Sequence, residues 1–364
     1  MKIKTLTCHE VYNYGASLQA YALLEYLKKQ GYDVETINYK PPYLSKHFDF
    51  FNIGNEVYNR PIIKYFYLLA KLPERIKNLK RKGSFDNFTK KYIPMGSIKY
   101  TSNEELKKKL PEADVFICGS DQIWNSYFEN GRDPAFYLNF VPDDKTKIAY
   151  AASFAMDAIE DAMKPLVRDN VKRIASVSVR ETSAVSILND LGIDTAVQVL
   201  DPVFLVEVKQ WKKFVSSIDE KFIFVNDFDS NPLLKKIALE FKKKKRWKIY
   251  TVNQNIDYAD TNFWLEGPEK YLSLMYHASF VLTNSFHSVC FSIIFEKQLV
   301  VVNRIEPINT RMRDLLSLFH LSNCLVENYD DYTNLERVDY NLCLSLTQFH
   351  IEKSKQFLLN AIEN

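Results

Sequence analysis

Residues 280–296 read F-V-L-T-N-S-F-H-S-V-C-F-S-I-I-F-E, and that order leaves few ways for the chain to fold. An apolar run of strand length stops at Thr283-Asn284-Ser285, and a second run of helix length starts at Phe286. Asn284 and Ser285 are residue types that cap helix N-termini, so the polar break predicts a strand–turn–helix corner. Phe286, Val289, Cys290, Phe291, Ile293, Ile294 and Phe295 are apolar nearly all the way round the helix, which predicts burial on every side. His287 then falls in the first turn, beside backbone N–H groups that lack intrahelical partners. Such a place holds an anion next to an acid–base group. A lone histidine at a helix start is also often just a hydrogen-bonded structural residue, and the rest of the chain has to decide.

The same β-then-α order recurs. Residues 3–8 alternate like a strand, 16–30 read as a helix closed by Gly31, and 33–38 as a second strand. Residues 43–100 fit the alternation poorly. Strands are then predicted at 114–118, 147–152, 176–179 and 196–200, with helices at 157–175 and 182–191. A fresh series follows: strands 221–225 and 247–252, helices 232–245 and 268–277, the 280–296 corner, a strand at 299–303, a helix from about Arg311 and a last helix at 344–362. The expected class is α/β, with two Rossmann-like domains facing a cleft. The first spans 1–205 with a helical insertion at about 43–100, the second spans 206–343, and 344–364 is a helix packing back on the first. Ligands of such folds sit at strand C-termini. The polar loops 9–15, 119–125, Arg180-Glu181, 283–287 and 304–311 would converge there, which favours a functional His287.

Composition removes several classes. Lys+Arg 48 against Asp+Glu 45 leaves a net charge of +3, so no nucleic-acid partner is expected. Cys8, Cys118, Cys290, Cys324 and Cys343 are odd in number and far apart, which suits reduced thiols in a cytoplasmic protein. The first ten residues lack the apolar core of a signal peptide, and no apolar run reaches spanning length. With nine glycines and no G-x-G-x-x-G or Walker loop, a phosphate site must rest on helix N-termini and arginine. Asp227-Phe228-Asp229 matches the D-x-D of metal-dependent sugar transferases, but after a strand it reads as turn chemistry, and no metal is expected. Residues 61–82 are helical, aromatic and basic, with a break at Pro73. They are either an amphipathic element touching anionic lipid at the inner face of the plasma membrane or an inserted helical pair with a solvated basic face.

Other candidates keep two readings. Arg180 ends a strand and either forks onto ligand oxygens or pairs with Glu181 or another acid. Of Arg311 and Arg313, one reaches the crevice while the other is solvated. Gly119-Ser120-Asp121 could bind sugar hydroxyls with Trp124 as a stacking plane; equally, Asp121 caps a turn and Trp124 is core.

Taken together, N-Y-G-A-S-L-Q-A-Y-A-L at 13–23, G-S-D-Q-I-W-N at 119–125, S-V-R-E at 178–181, D-P-V-F-L at 201–205, N-S-F-H at 284–287 and T-R-M-R-D-L-L at 310–316 resemble the polysaccharide pyruvyl transferase family over nearly the whole chain. The resemblance implies a glycosyltransferase-B-like fold. It implies transfer of the enolpyruvyl group of phosphoenolpyruvate to two sugar hydroxyls, giving a cyclic pyruvate ketal in surface-polysaccharide synthesis. Phosphoenolpyruvate is then a co-substrate, and no cofactor is expected. The acceptor would be a sugar on a lipid-diphosphate-linked oligosaccharide.

In relatives the His matching His287 and the Arg matching Arg180 serve the phosphoenolpyruvate site. Ser285, Phe286, Ser288 and Arg311 are expected to join them. Relatives often carry Arg where this chain has Ser285 and Gly where it has Ser288, so Arg311 or a lysine would have to supply the missing cation. His9, Asn13, Tyr14, Ser17, Gln19, Ser120, Asp121, Gln122, Trp124 and Asn125 are expected on the acceptor side. His287 is the expected general acid, because an imidazole gives and takes protons near neutrality. Asp121, or alternatively His9, would be the base. Rival functions are a nucleotide-sugar-dependent glycosyltransferase on the same fold, or a catalytically inactive glycan-binding protein.

Overall fold

A computed structural model describes residues 1–45, 51–53 and 56–363. Strands β1 (Lys2–Leu6), β2 (Asp33–Tyr39), β3 (Met95–Tyr100), β4 (Val115–Cys118), β5 (Thr146–Ala152), β6 (Ser176–Val179) and β7 (Val197–Gln198) form one parallel sheet in the order β3-β2-β1-β4-β5-β6-β7. Strands β8 (Phe222–Asn226), β9 (Lys248–Thr251), β10 (Thr261–Asn262), β11 (Phe280–Thr283) and β12 (Leu299–Val301) form a second, in the order β10-β9-β8-β11-β12. Ile3 lies opposite Val34 and Val115, and Val281 opposite Phe224 and Leu299. Central strands such as β4 and β8 are covered on both faces, which is why they read as apolar runs.

The helix Tyr14–Lys29 starts where Asn13 Oδ1 accepts the Gly15 and Ala16 N–H groups at 2.9 and 3.4 Å, and Lys28 and Lys29 favour its C-terminus. It is buried along most of its length between the two sheet units, and one continuous apolar core runs through both. Trp211, fully buried, packs edge-on against Tyr21 at 5.6 Å and Phe291 at 5.1 Å. Truncating a residue so placed costs about 3–5 kcal/mol. The last helix, Tyr340–Glu363, straddles the two units. Tyr340 donates to Ser292 O and Lys297 O, while Ser354 Oγ accepts Leu200 N at 2.9 Å.

Several elements differ from the sequence expectation, three of them in ways that burial, proline or length explains. The stretch 43–100 is not helical throughout: its last six residues form β3, the edge strand beside β2. Its main helices are Pro61–Ala70 and Leu72–Tyr92, preceded by the short turns Pro42–Ser45 and Glu56–Asn59, and its residues 46–50 and 54–55 lie outside those described. The helix expected over 157–175 is a 3₁₀ turn, Asp161–Met163, followed by Lys164–Val171. Pro165 is tolerated only in a first turn, so it sets where that helix begins. The two-residue strand β10 pairs with β9 and is too short to register as a pattern.

Candidate active site

The C-terminal ends of strands from both sheets open onto one cleft of about 550 Å³. Its lining includes Asn13 after β1, Asp121 and Gln122 after β4, Ser285, Phe286 and His287 after β11, and Arg304 and Arg311 after β12. Two helices, Tyr14–Lys29 and Phe286–Ile294, start at this cleft; Asn13 caps the first, while Ser285 makes no side-chain cap on the second, whose first-turn N–H groups are open to a ligand.

A buried ionic array adjoins the lining. Asp201, following β7, accepts Arg180 Nη1 at 2.7 Å and Ser120 Oγ at 3.0 Å on Oδ2, and Val203 N at 3.1 Å on Oδ1. His287 Nε2 stands 3.6 Å from the same Oδ2, an electrostatic approach just beyond hydrogen-bond range. Burial opposes a charged Asp201, but the His287 and Arg180 contacts outweigh it and hold the carboxyl below its ordinary value. Arg180 Nη2 lies 3.6 Å from Asp121 Oδ1, and the guanidinium covers the Phe286 ring at 4.4 Å. Burial opposes its charge as well, and Asp201, Asp121 and Glu181 more than restore it. The buried Nε and Nη2 of Arg180, Nε of Arg311 and Nε2 of His287 have no hydrogen-bond partner among the described residues.

Arg311, in the first turn of the helix Thr310–Leu318, reaches the same Phe286 ring at 5.5 Å. Burial and the Arg180 charge push its guanidinium down to about 10. Beneath them Glu181 is fully buried, accepting Ser153 Oγ at 2.7 Å and Ala155 N at 2.9 Å on Oε1, while burial raises its carboxyl above the ordinary range. Arg180 is thus paired with Asp201 and Asp121, while Arg311 has no carboxylate within salt-bridge distance among the described residues and is the cation left for an anionic ligand.

His287 is fixed sterically by the opposite unit. A Cβ placed on Gly15 would stand 1.9 Å from His287 Nδ1, so only glycine admits the ring there. Another close approach is Gly119, whose φ of +113° and distance to Tyr150 O both forbid a side chain. It turns the chain after β4 so that Ser120 faces Asp201 while Asp121 faces the cleft.

The remaining candidates divide. Asn13, Asp121, Gln122, Ser285, Phe286, His287 and Arg311 meet at the cleft. Arg180 and Ser120 lie just behind it. Trp124 does not reach it: the indole is fully buried, stacked on Tyr137 and donating to Phe136 O, because its neighbours are an aromatic core. Asn125 bonds Gln122 and Tyr127 N within its own loop. Ser288 turns inward to Asn226 and Tyr271, and Gln19 is buried against Thr7 and Ser120 N. Ser17 is buried. Tyr14 stacks on Tyr271 and takes Arg81, serving the junction between units. His9 is buried with Nδ1 on Thr7 O, and burial pushes it down to about 4. Arg313 pairs with Asp157 and Asp314 at the surface. The D-x-D carboxylates are turn chemistry: Asp227 accepts Asp229 N, Asn231 N and Asn284 Nδ2, and Asp229 accepts Ile305 N.

Sequence reasoning missed Asp201 as a site residue, together with Arg304 on the cleft wall. The available signal was an acid directly after Val199-Leu200, just past a strand.

Two parallel sheets meeting at one cleft define an α/β protein with a glycosyltransferase-B-like fold. The S. aureus MnaA–UDP co-structure shares it, with a TM-score of 0.50 at 12% identity, covering 100% of this chain and 98% of that one. A putative UDP-N-acetylglucosamine 2-epimerase from Listeria monocytogenes gives 0.49 at 11%, covering 98% and 91%. The Streptomyces sp. SF2575 glycosyltransferase SsfS6, complexed with thymidine diphosphate, gives 0.45 at 12%, covering 99% of each chain. None of the curated proteins compared with the chain matches it. The family model described as polysaccharide pyruvyl transferase matches residues 13–305, and the chain belongs to that family.

Proposed function

We infer that the protein transfers the enolpyruvyl group of phosphoenolpyruvate to two hydroxyls of one sugar, forming a cyclic pyruvate ketal and releasing phosphate. The observation that carries this reading is the contact of Arg180 and His287 with the single carboxylate of Asp201, beside Arg311 at a cleft met by two helix N-termini. Phosphoenolpyruvate brings a carboxylate and a phosphate, and the two guanidiniums and the N–H groups answer both. Arg311, rather than a cation at position 285, is the second positive group in this reading.

His287 gives a proton to the methylene carbon, which becomes the methyl group, and C2 becomes oxocarbenium-like. The first sugar hydroxyl attacks C2 and loses its proton to Asp121, which passes it to solvent as His287 takes a proton up from solvent. Asp121 suits the base role better than His9, since it lines the cleft while His9 is buried behind it. The second hydroxyl then attacks C2 as the C2–O bond to phosphate breaks, and its proton leaves with the phosphate. Arg180 and Arg311 balance the charge on the departing group. The acceptor sugar, in this reading carried on a lipid diphosphate, lies against Asn13, Gln122 and the loop after it.

Phosphate release from phosphoenolpyruvate, measured across lipid-linked galactose-, mannose- and glucosamine-type acceptors, tests the proposal. Release with one acceptor and not without it is expected. Thermal stabilisation by nucleotide sugars but not by phosphoenolpyruvate would favour a glycosyltransferase instead.

A further inference from the structure

The helix Pro61–Ala70 is built inside out. Ile62, Tyr65, Phe66 and Leu69 are 74%, 68%, 70% and 66% exposed, while Leu68 is buried. At 100° per residue, the four exposed side chains together with Ile63 cover one continuous arc of the helix. The next helix, Leu72–Tyr92, extends the surface with Leu72, Ile76 and Leu79, spaced i, i+4, i+7 and each partly exposed. A contiguous apolar surface of this kind marks a site of association.

Its charge decides what it associates with. Residues 60–82 hold eight Lys and Arg against the single acid Glu74, in a chain whose net charge is only +3. Lys77 and Lys80 are exposed beside the Leu72–Ile76–Leu79 stripe, with Arg75 on its other side. Apolar and aromatic side chains fringed by cations match an anionic bilayer surface, where the rings enter the headgroup layer and the ammonium groups meet lipid phosphate. A second copy of this chain would bring the same positive fringe against itself. Among the described residues no helix is long and apolar enough to cross a membrane, so the contact is peripheral.

The second helix also ties this surface to the cleft. Arg81, two residues beyond Leu79, is buried and donates to Tyr14 Oη, Tyr12 O and Trp264 O, beside Asn13 of the cleft wall. We propose that residues 61–80 form a peripheral docking element for anionic membranes, which presents the cleft to the bilayer surface. The docking rests on exposed side chains alone and is independent of the reaction in the cleft.

The test is co-sedimentation of the full chain with vesicles of phosphatidylcholine and phosphatidylglycerol, against phosphatidylcholine alone. The wild type is expected to bind the anionic vesicles and to be released by salt. The triple variant Ile62→Ser/Phe66→Ser/Leu69→Ser is expected to lose about a hundredfold or more in vesicle affinity, the order set by three large apolar side chains, with its melting temperature unchanged. Should that variant not fold, Lys77→Glu/Lys80→Glu reads the charge separately and should lose anionic-vesicle binding. Equal binding by wild type and variants, or none by the wild type, overturns the proposal. So does a wild-type dimer that the triple variant dissociates while neither binds vesicles.

Discussion

Gly15 and His287 touch across the gap between the two sheets, leaving 1.9 Å between the imidazole Nδ1 and the point a Cβ on Gly15 would occupy. Gly15→Ala must therefore move the ring or part the two helix starts. Alanine favours a helix interior by about 1 kcal/mol over glycine, so the local helix is not what suffers. The expected outcome is a melting temperature near wild type with turnover about a hundredfold lower, the usual cost of misplacing a reacting group by an ångström. Wild-type phosphate release by this variant would show that the imidazole position is irrelevant to turnover.

Asp201→Asn keeps the shape and the Ser120 contact but leaves Arg180 without its nearest counter-charge. Breaking a buried pair of this kind destabilises by about 3–5 kcal/mol. The folded carboxyl sits below its ordinary 3.8, so its contribution is complete above that pH and is lost as pH falls through the lower folded value. Urea unfolding should show a wild-type advantage over Asp201→Asn that is constant near neutrality and shrinks only in acid below that range. An advantage already gone near neutrality would mean the Arg180–Asp201 pair is not formed.

Burial explains what could be seen in the sequence and what could not. Strands such as Val115–Cys118 and Phe222–Asn226 are covered on both faces, so they appear as apolar runs with little help from context. The edge strand Met95–Tyr100 is half exposed, M-G-S-I-K-Y, and carries no such signature. The corner at 280–296 was legible because its polar break and its apolar helix lie next to each other in the chain, although neither Asn284 nor Ser285 caps the helix with its side chain. The convergence of Arg180 and His287 was legible from their strand-end positions, but the Asp201 that joins them was not, because it comes from a separate loop and only packing brings it to the other two. Trp124 failed as a stacking plane for a related reason: composition marks an aromatic, while its neighbours Tyr137 and Phe154 make it core.

His9 makes stability depend on pH a second time. Its ordinary value is 6.5 and burial lowers it to about 4, so between these values the unfolded chain binds the extra proton. Stability from the neutral ring is complete above 6.5 and falls as pH drops toward 4, by about 3 kcal/mol in all at 1.36 kcal/mol per pH unit. His9→Gln should remove that slope in denaturant unfolding measured across this window. An unchanged slope would assign it to other groups.

His287 and Arg311 occupy the same cleft but should fail differently. His287→Ala removes the proton donor and leaves both guanidiniums, so phosphoenolpyruvate binding by calorimetry should persist while turnover falls about 10²–10⁴-fold. Arg311→Ala removes a cation that touches the cleft directly and has no carboxylate partner within salt-bridge distance among the described residues. Its loss should weaken phosphoenolpyruvate affinity, with little cost to folding, because a buried and mutually repelled guanidinium is costly to hold in the ligand-free protein. Arg311→Lys keeps the charge without the fork and should recover part of the affinity. If Arg311→Ala bound phosphoenolpyruvate as the wild type does while His287→Ala did not, the two assignments would have to be exchanged, with the imidazole holding the anion and the proton coming from another group.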